Sequence, residues 1–143
     1  MGKPGQGIRV EVFGTRDKPL IRAIGALARQ IAPVFTQCGT RHTECRINII
    51  FVNNKYIAQL NRRFLGRKGP TDVISFPLNT VILPKRKGGK KILLIGEVYI
   101  SRDQARIQSR TLGTTLRQEL LLLTKHGILH LAGLSHQEMD RLD

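Results

Sequence analysis

Apolar and polar residues alternate over Ile8-Arg9-Val10-Glu11-Val12-Phe13, a period of two that predicts a β-strand with one polar face. The period then changes. Leu20, Ile21, Ile24, Leu27, Ala28 and Ile31 recur at helical spacing behind Pro19, which suits the first turn of a helix, and Pro33 stops the pattern. Thr36 to Thr43 reads as a loop. Alternation returns over Cys45-Arg46-Ile47-Asn48-Ile49-Ile50-Phe51-Val52, a second strand. Asn53 or Asn54 can then cap a helix that turns Tyr56, Ile57, Leu60 and Phe64 inward. Its far end is basic: Arg62, Arg63, Arg67 and Lys68.

Gly69-Pro70 breaks that helix, and Val73-Ile74-Ser75-Phe76 predicts a short strand ended by Pro77. Ile92-Leu93-Leu94-Ile95 and Val98-Tyr99-Ile100 predict one long strand interrupted at Gly96-Glu97. A glycine there marks a bulge or a close backbone approach, and Glu97 lies either at an edge or against a polar cleft. Ser101 with Gln104 forms a capping box for a helix to about Leu112, and Gly113 ends it. Thr115 with Gln118 caps a last helix, apolar nearly all round through Leu120, Leu121, Leu122 and Leu123, which makes it the buried central helix.

Length bounds the organisation. The 143 residues fit one domain, 1–143, with residues 1–7 a loose tail. No run of eighteen apolar residues exists to cross a membrane, and the N-terminus lacks the apolar run of a signal peptide, so the expected compartment is the cytoplasm. Cys38 and Cys45 are not a C-x-x-C pair and are read as free, buried thiols.

Charge narrows the partners. The chain carries 24 Lys and Arg against 10 Asp and Glu, a net +14, which favours polyanions: nucleic acid, or an anionic membrane surface. Lys85, Arg86, Lys87, Lys90 and Lys91 surround a Gly-Gly turn, either a solvated hairpin tip or an RNA phosphate contact. Aromatic residues are only 5% and Trp is absent, so an extensive base-stacking platform is not expected. Binding should run mainly through phosphates, with weak sequence readout.

The chemistry concentrates near the C-terminus. Three of the four histidines fall in His126-Gly127-Ile128-Leu129-His130-Leu131-Ala132-Gly133-Leu134-Ser135-His136. A four-residue step puts His126 and His130 one turn apart on one helix face. Gly133 can leave the helix in a left-handed conformation and let His136 return to the same point. Three convergent imidazoles with an open fourth position are the ligand set of a catalytic zinc that activates water.

The spacing also fits the metzincin pattern H-E-x-x-H-x-x-G-x-x-H, but Gly127 stands where those proteases keep their general base. A mid-helix glycine costs about 1 kcal/mol relative to alanine, so a close backbone approach is expected at Gly127. Glu119 lies two turns before His126, about 10 Å along the axis, too far to ligate the same ion easily. A structural ion pair is the preferred role for Glu119, and a structural turn the preferred role for Asp72.

These residues carry a resemblance. The histidine segment resembles the signature H-G-x-L-H-L-x-G-x-D-H of the YbeY family, zinc-dependent endoribonucleases of bacterial ribosomal RNA maturation. Pro70-Thr71-Asp72-Val73-Ile74-Ser75-Phe76-Pro77 and Gly96-Glu97-Val98-Tyr99-Ile100-Ser101 match the family in the right order, so the likeness covers roughly residues 45 to 136. It implies an α/β fold, a small mixed sheet packed with helices, with the metal site at the end of a buried C-terminal helix. It also implies one Zn²⁺ held by His126, His130 and His136, and cleavage of single-stranded RNA. The expected partner is a ribosomal RNA precursor or the small ribosomal subunit, bound through Arg62, Arg63, Arg67, Lys68 and the 85–91 cations. Two positions depart from the pattern. Ser135 replaces the aspartate before the third histidine, leaving a hydroxyl to support the ligands. Leu65 stands where many relatives carry an arginine tied to activity, a role open to Arg62, Arg63 or Arg67.

Three readings compete. The leading one is a zinc-dependent endoribonuclease in ribosomal RNA maturation and ribosome quality control, with either water or the RNA's own 2′-hydroxyl attacking. The second is an RNA-binding maturation factor whose zinc is structural, which Ser135 and Leu65 favour. The third is a metallohydrolase of peptides, against which the glycine at 127 counts. Steep weakening at high salt separates a phosphate binder from a protease.

Overall fold

The computed structural model describes residues 7–35, 38, 43–82 and 91–133. Four strands and four α-helices follow the order β1 (Ile8–Phe13), α1 (Lys18–Ile31), β2 (Thr43–Val52), α2 (Asn54–Leu65), β3 (Val73–Ile82), β4 (Lys91–Ser101), α3 (Arg102–Leu112) and α4 (Leu116–Leu131). A short 3₁₀ turn, Ala32–Val34, follows α1. The sheet order is β1-β2-β4-β3: the first three are mutually parallel and β3 runs antiparallel at the edge. The result is an α/β fold on a small mixed sheet, as the resemblance implied.

Strand alternation decides which face each helix covers. Ile47, Ile49, Val98 and Ile100 are buried on one face, where α4 lies with α1 beside it. Helix α1 contributes Leu20, Ile24, Ala28 and Ile31, one buried stripe at spacings of four, four and three. Each large aliphatic side chain buried there stabilises the fold by roughly 1.5–3 kcal/mol. The opposite face carries Arg9, Glu11, Glu44, Arg46, Asn48, Glu97 and Tyr99, and α2 lies against it over β3 and β4. Ion pairs Arg9–Glu44 and Arg46–Glu11, both at 3.9 Å, run across its β1–β2 side.

Caps explain the helix starts. Asp17 caps α1 by accepting from Leu20 N–H and is clasped by Arg117 of α4, which ties the two helices together. The backbone bond from Leu20, with the Arg117 guanidinium opposite, holds the Asp17 carboxyl below its usual range despite some desolvation. Asn53, rather than Asn54, caps α2. Ser101, fully buried, accepts from Gln104 N–H to cap α3 and donates to Asn54 Oδ1 at 2.7 Å. Thr115 and Gln118 form the expected capping box on α4.

Several expectations need correcting. Cys38 and Cys45 are not free thiols but a disulfide, because the fold sets their Cα atoms 5.6 Å apart, within reach of an S–S bond. Both are buried, as expected. The third strand does not stop at Pro77 but continues to Ile82, with a register shift between Pro77 and Thr80 and Asn79 at φ 48°. Proline is tolerated there because β3 is an edge strand. Strand β4 is unbroken, the irregularity being an extra residue, Ile95, opposite the Arg46–Ile47 step. In α2, Ile57 turns inward but Tyr56 and Phe64 do not: they are 46% and 56% exposed, and Asn61 takes an interior place instead. Asn61 can be buried because its amide donates to the Gly69 carbonyl.

Candidate functional site

Helix α4 presents the histidine motif, and one glycine sets its height above the sheet. A Cβ on Gly127 would run into Val98 Cγ1 of β4 and come within 3.2 Å of Val73 Cγ2 of β3. The missing side chain therefore lets the helix backbone settle onto both strands. Ser75 of β3 fixes the contact by donating its hydroxyl to the Gly127 carbonyl at 2.9 Å. Gly96 does the same from the sheet side: a Cβ there would collide with the Phe76 carbonyl and with Leu131 of α4. The glycines of two separate motifs thus serve one interface.

On this seat, His126 is half-buried and His130 exposed, one turn apart on α4. The helix ends at Leu131, and Gly133 adopts φ 79° while its N–H donates to the His130 carbonyl. That is the left-handed exit expected from the sequence. His136 and Ser135 lie outside the described residues, so two of the three proposed ligands are positioned. Their chemistry and spacing fit two of the three imidazoles of such a zinc site; among the described residues no cluster of three ligating side chains occurs.

Other singled-out residues find structural partners. Asp72 accepts from Val73 N–H and from Gln108 of α3, while its carbonyl accepts from Ser101 N–H. It is the turn residue expected. Glu119 is buried, and its Oε1 accepts from Thr114 Oγ1 at 2.9 Å, a hydrogen bond in place of the expected ion pair. The turn before α4 folds back and delivers that hydroxyl, a local closure the helical spacing did not reveal. Glu97 is not at an edge: on central β4 it faces polar neighbours, accepting from Asn48 Nδ2 at 3.1 Å and Tyr99 OH at 3.3 Å.

The basic end of α2 is fully on the surface. Arg62, Arg63, Arg67 and Lys68 are exposed around Gly66, the left-handed residue that ends the helix. Leu65 is 49% exposed at the same turn. Lys91 is exposed at the start of β4, whereas Lys85, Arg86, Lys87 and Lys90 fall outside the described residues. A groove of about 740 Å³ between α1 and α4, lined by Ala23, Leu27, Leu121 and Leu122 among others, includes neither histidine.

The family described as Endoribonuclease YbeY matches residues 15–143. The chain belongs to the YbeY family. An Endoribonuclease YbeY of Beutenbergia cavernae is 37% identical over 99 residues, 69% of this chain and 66% of that protein. One of Sulfurihydrogenibium is 42% identical over 91 residues, 64% of this chain and 56% of that protein. One of Clavibacter sepedonicus is 32% identical over 124 residues, 87% of this chain and 76% of its own length. The first two matches thus span less than two thirds of the relatives' lengths. The solution structure of TM1509 from Thermotoga maritima covers 90% of this chain and 74% of its own at 29% identity, with a TM-score of 0.54. Among the described residues, no helix of this YbeY-family chain is long and apolar enough to cross a membrane.

Proposed function

We propose that this protein is a zinc-dependent endoribonuclease that cuts single-stranded RNA in ribosomal RNA maturation and quality control. Membership of the YbeY family, whose relatives bear the name endoribonuclease, supports the reaction class. The observation that carries the metal reading is the paired His126 and His130 on a helix locked to the sheet at Gly127. A seat this tight keeps ligands in place, which a metal site needs.

In this reading His126, His130 and His136 hold the ion, and the Ser135 hydroxyl supports them. Bound there, zinc would contribute Lewis acidity and the activation of an oxygen nucleophile near neutral pH. The protein's own work is positioning. Gly127 and Ser75 fix the height of the two helical imidazoles against β3 and β4. Arg62, Arg63, Arg67 and Lys68 form an exposed cationic turn that attracts RNA phosphates and offsets charge that develops on them. The RNA target is a ribosomal RNA precursor or the small subunit, and the compartment the cytoplasm.

The test is cleavage of a labelled single-stranded RNA by metal-loaded protein beside a His130→Ala variant purified identically. The variant should stay folded and lose more than about a hundredfold in rate, beyond what disturbing a ligand's supporting partner costs. Equal cleavage by both proteins would assign the activity to a contaminant. RNA binding without cleavage by either would favour a maturation factor with a structural metal.

A further inference from the structure

Four of the chain's five Phe and two Tyr converge on the sheet face opposite the histidines. Tyr56 of α2 stacks on Tyr99 of β4, with ring centroids 6.2 Å apart and planes at 23°. Phe76 of β3 sets its ring edge-on to Tyr99 at 5.7 Å and to Phe64 of α2 at 5.3 Å. Tyr99 is held further by its hydroxyl bond to Glu97. Rings that served only to fill a core would be covered, yet Tyr56 is 46% and Phe64 56% exposed. Tyr56 thus has Tyr99 on one side and remains nearly half exposed as a residue.

The surroundings select the occupant. Arg63 lies over the Phe64 ring at 5.4 Å, and Arg62, Arg67 and Lys68 stand exposed within four residues of that phenylalanine. An apolar protein surface would have to desolvate or avoid these cations. A single nucleic-acid strand satisfies both halves of the patch, placing planar bases on rings and phosphates on cations. Duplex RNA does not, because its bases are already stacked on one another.

We propose that the α2 side of the sheet is a stacking subsite for unpaired bases of single-stranded RNA. The outer face of Tyr56 receives a base, Tyr99 and Phe76 brace it from behind, and the cations of α2 hold the flanking phosphates. The subsite rests on the reading of the chain as a protein that acts on RNA. It adds a reason for single-strand preference that the histidine motif does not supply.

The experiment is a titration of a short labelled 2′-O-methyl RNA strand, its integrity checked by gel, beside an abasic strand of the same length. Wild-type protein should bind the base-bearing strand at least about fivefold more tightly, the low end of what one stacked base contributes. Tyr56→Ala should erase that difference without changing affinity for the abasic strand, and Tyr56→Phe should restore it. The salt slope should be unaltered in Tyr56→Ala and reduced by about one in Arg67→Ala. Equal affinity of the wild-type protein for both strands, or a preference that survives Tyr56→Ala, overturns the subsite and leaves the nuclease reading standing. Binding of neither strand overturns both. Self-association that Tyr56→Ala abolishes, without any base preference, overturns it in favour of a second copy of the chain.

Discussion

The two faces of one sheet are covered in opposite ways. Against α4, strands β3 and β4 offer Val73, Ser75, Val98 and Ile100, and the helix answers with Gly127, so backbone meets side chain with no room to spare. Against α2, the alternate residues of the same strands are Ile74, Phe76, Glu97 and Tyr99; Ile74 is buried, but the helix leaves the other three only partly covered. A site that holds a metal needs fixed ligands, whereas a surface that receives a flexible strand needs accessible rings and charges. The period of two along a strand supplies both from adjacent residues.

Truncation on each face separates them most strongly. Ile128 of α4 is fully buried, and Ile128→Ala should cost about 2–5 kcal/mol, transfer plus cavity. Tyr56→Ala on the other face should change stability by no more than about 1 kcal/mol, since the residue is 46% exposed. Urea midpoints of the two variants measure the contrast. Comparable losses would mean that the aromatic cluster is core after all.

A second test concerns the tightness at Gly127. Alanine there gains up to about 1 kcal/mol in helix propensity but introduces a Cβ against Val98. Overpacking costs about 1–3 kcal/mol, so the net effect should be a modest destabilisation. Val98→Ala makes room, and Gly127→Ala combined with it should be less damaged than the sum of the single changes. Additive losses would show that helix and sheet do not meet there as described. Zinc affinity measured on the same variants should fall with Gly127→Ala and recover in the pair.

How much of this was legible in the sequence differs by face. Periodicity placed β1, β2 and α1 almost to the residue because each buries one face against a single layer. The mid-helix glycine pointed to a close approach because it breaks a propensity rule, and Gly96 did so for the same reason. On the open face, the inward placement of Tyr56 and Phe64 did not hold. Tyr56 and Phe64 sit at helical spacings that suit burial, and the spacing alone does not show that the sheet face beneath them is left partly open. A low aromatic percentage also does not show that two rings of α2 and two of the sheet meet at one spot. The Cys38–Cys45 bridge escaped for a similar reason: the 5.6 Å approach of their Cα atoms has no spacing signature.

The smallest expected effect is electrostatic and belongs to the open face. Burial, followed by the charge of Glu97 and then by Tyr56 and the hydroxyl bond to Glu97, pushes the Tyr99 phenol from 10.0 up to about 12. The folded protein therefore keeps a proton between those values that the unfolded chain releases. Stability owed to this linkage is fully present below pH 10 and is lost as the pH rises toward 12. Because the group is only partly buried, solvent weakens the effect and it should appear as a slight alkaline fall in the urea midpoint. Tyr99→Phe should remove that component while keeping the ring packed against Phe76 and Tyr56, and Glu97→Gln should diminish it. An identical alkaline slope in wild type and Tyr99→Phe would mean that the phenol is solvated and that Glu97 does not brace it. The stacking face would then lack the rigid backing that separates it from an ordinary surface tyrosine.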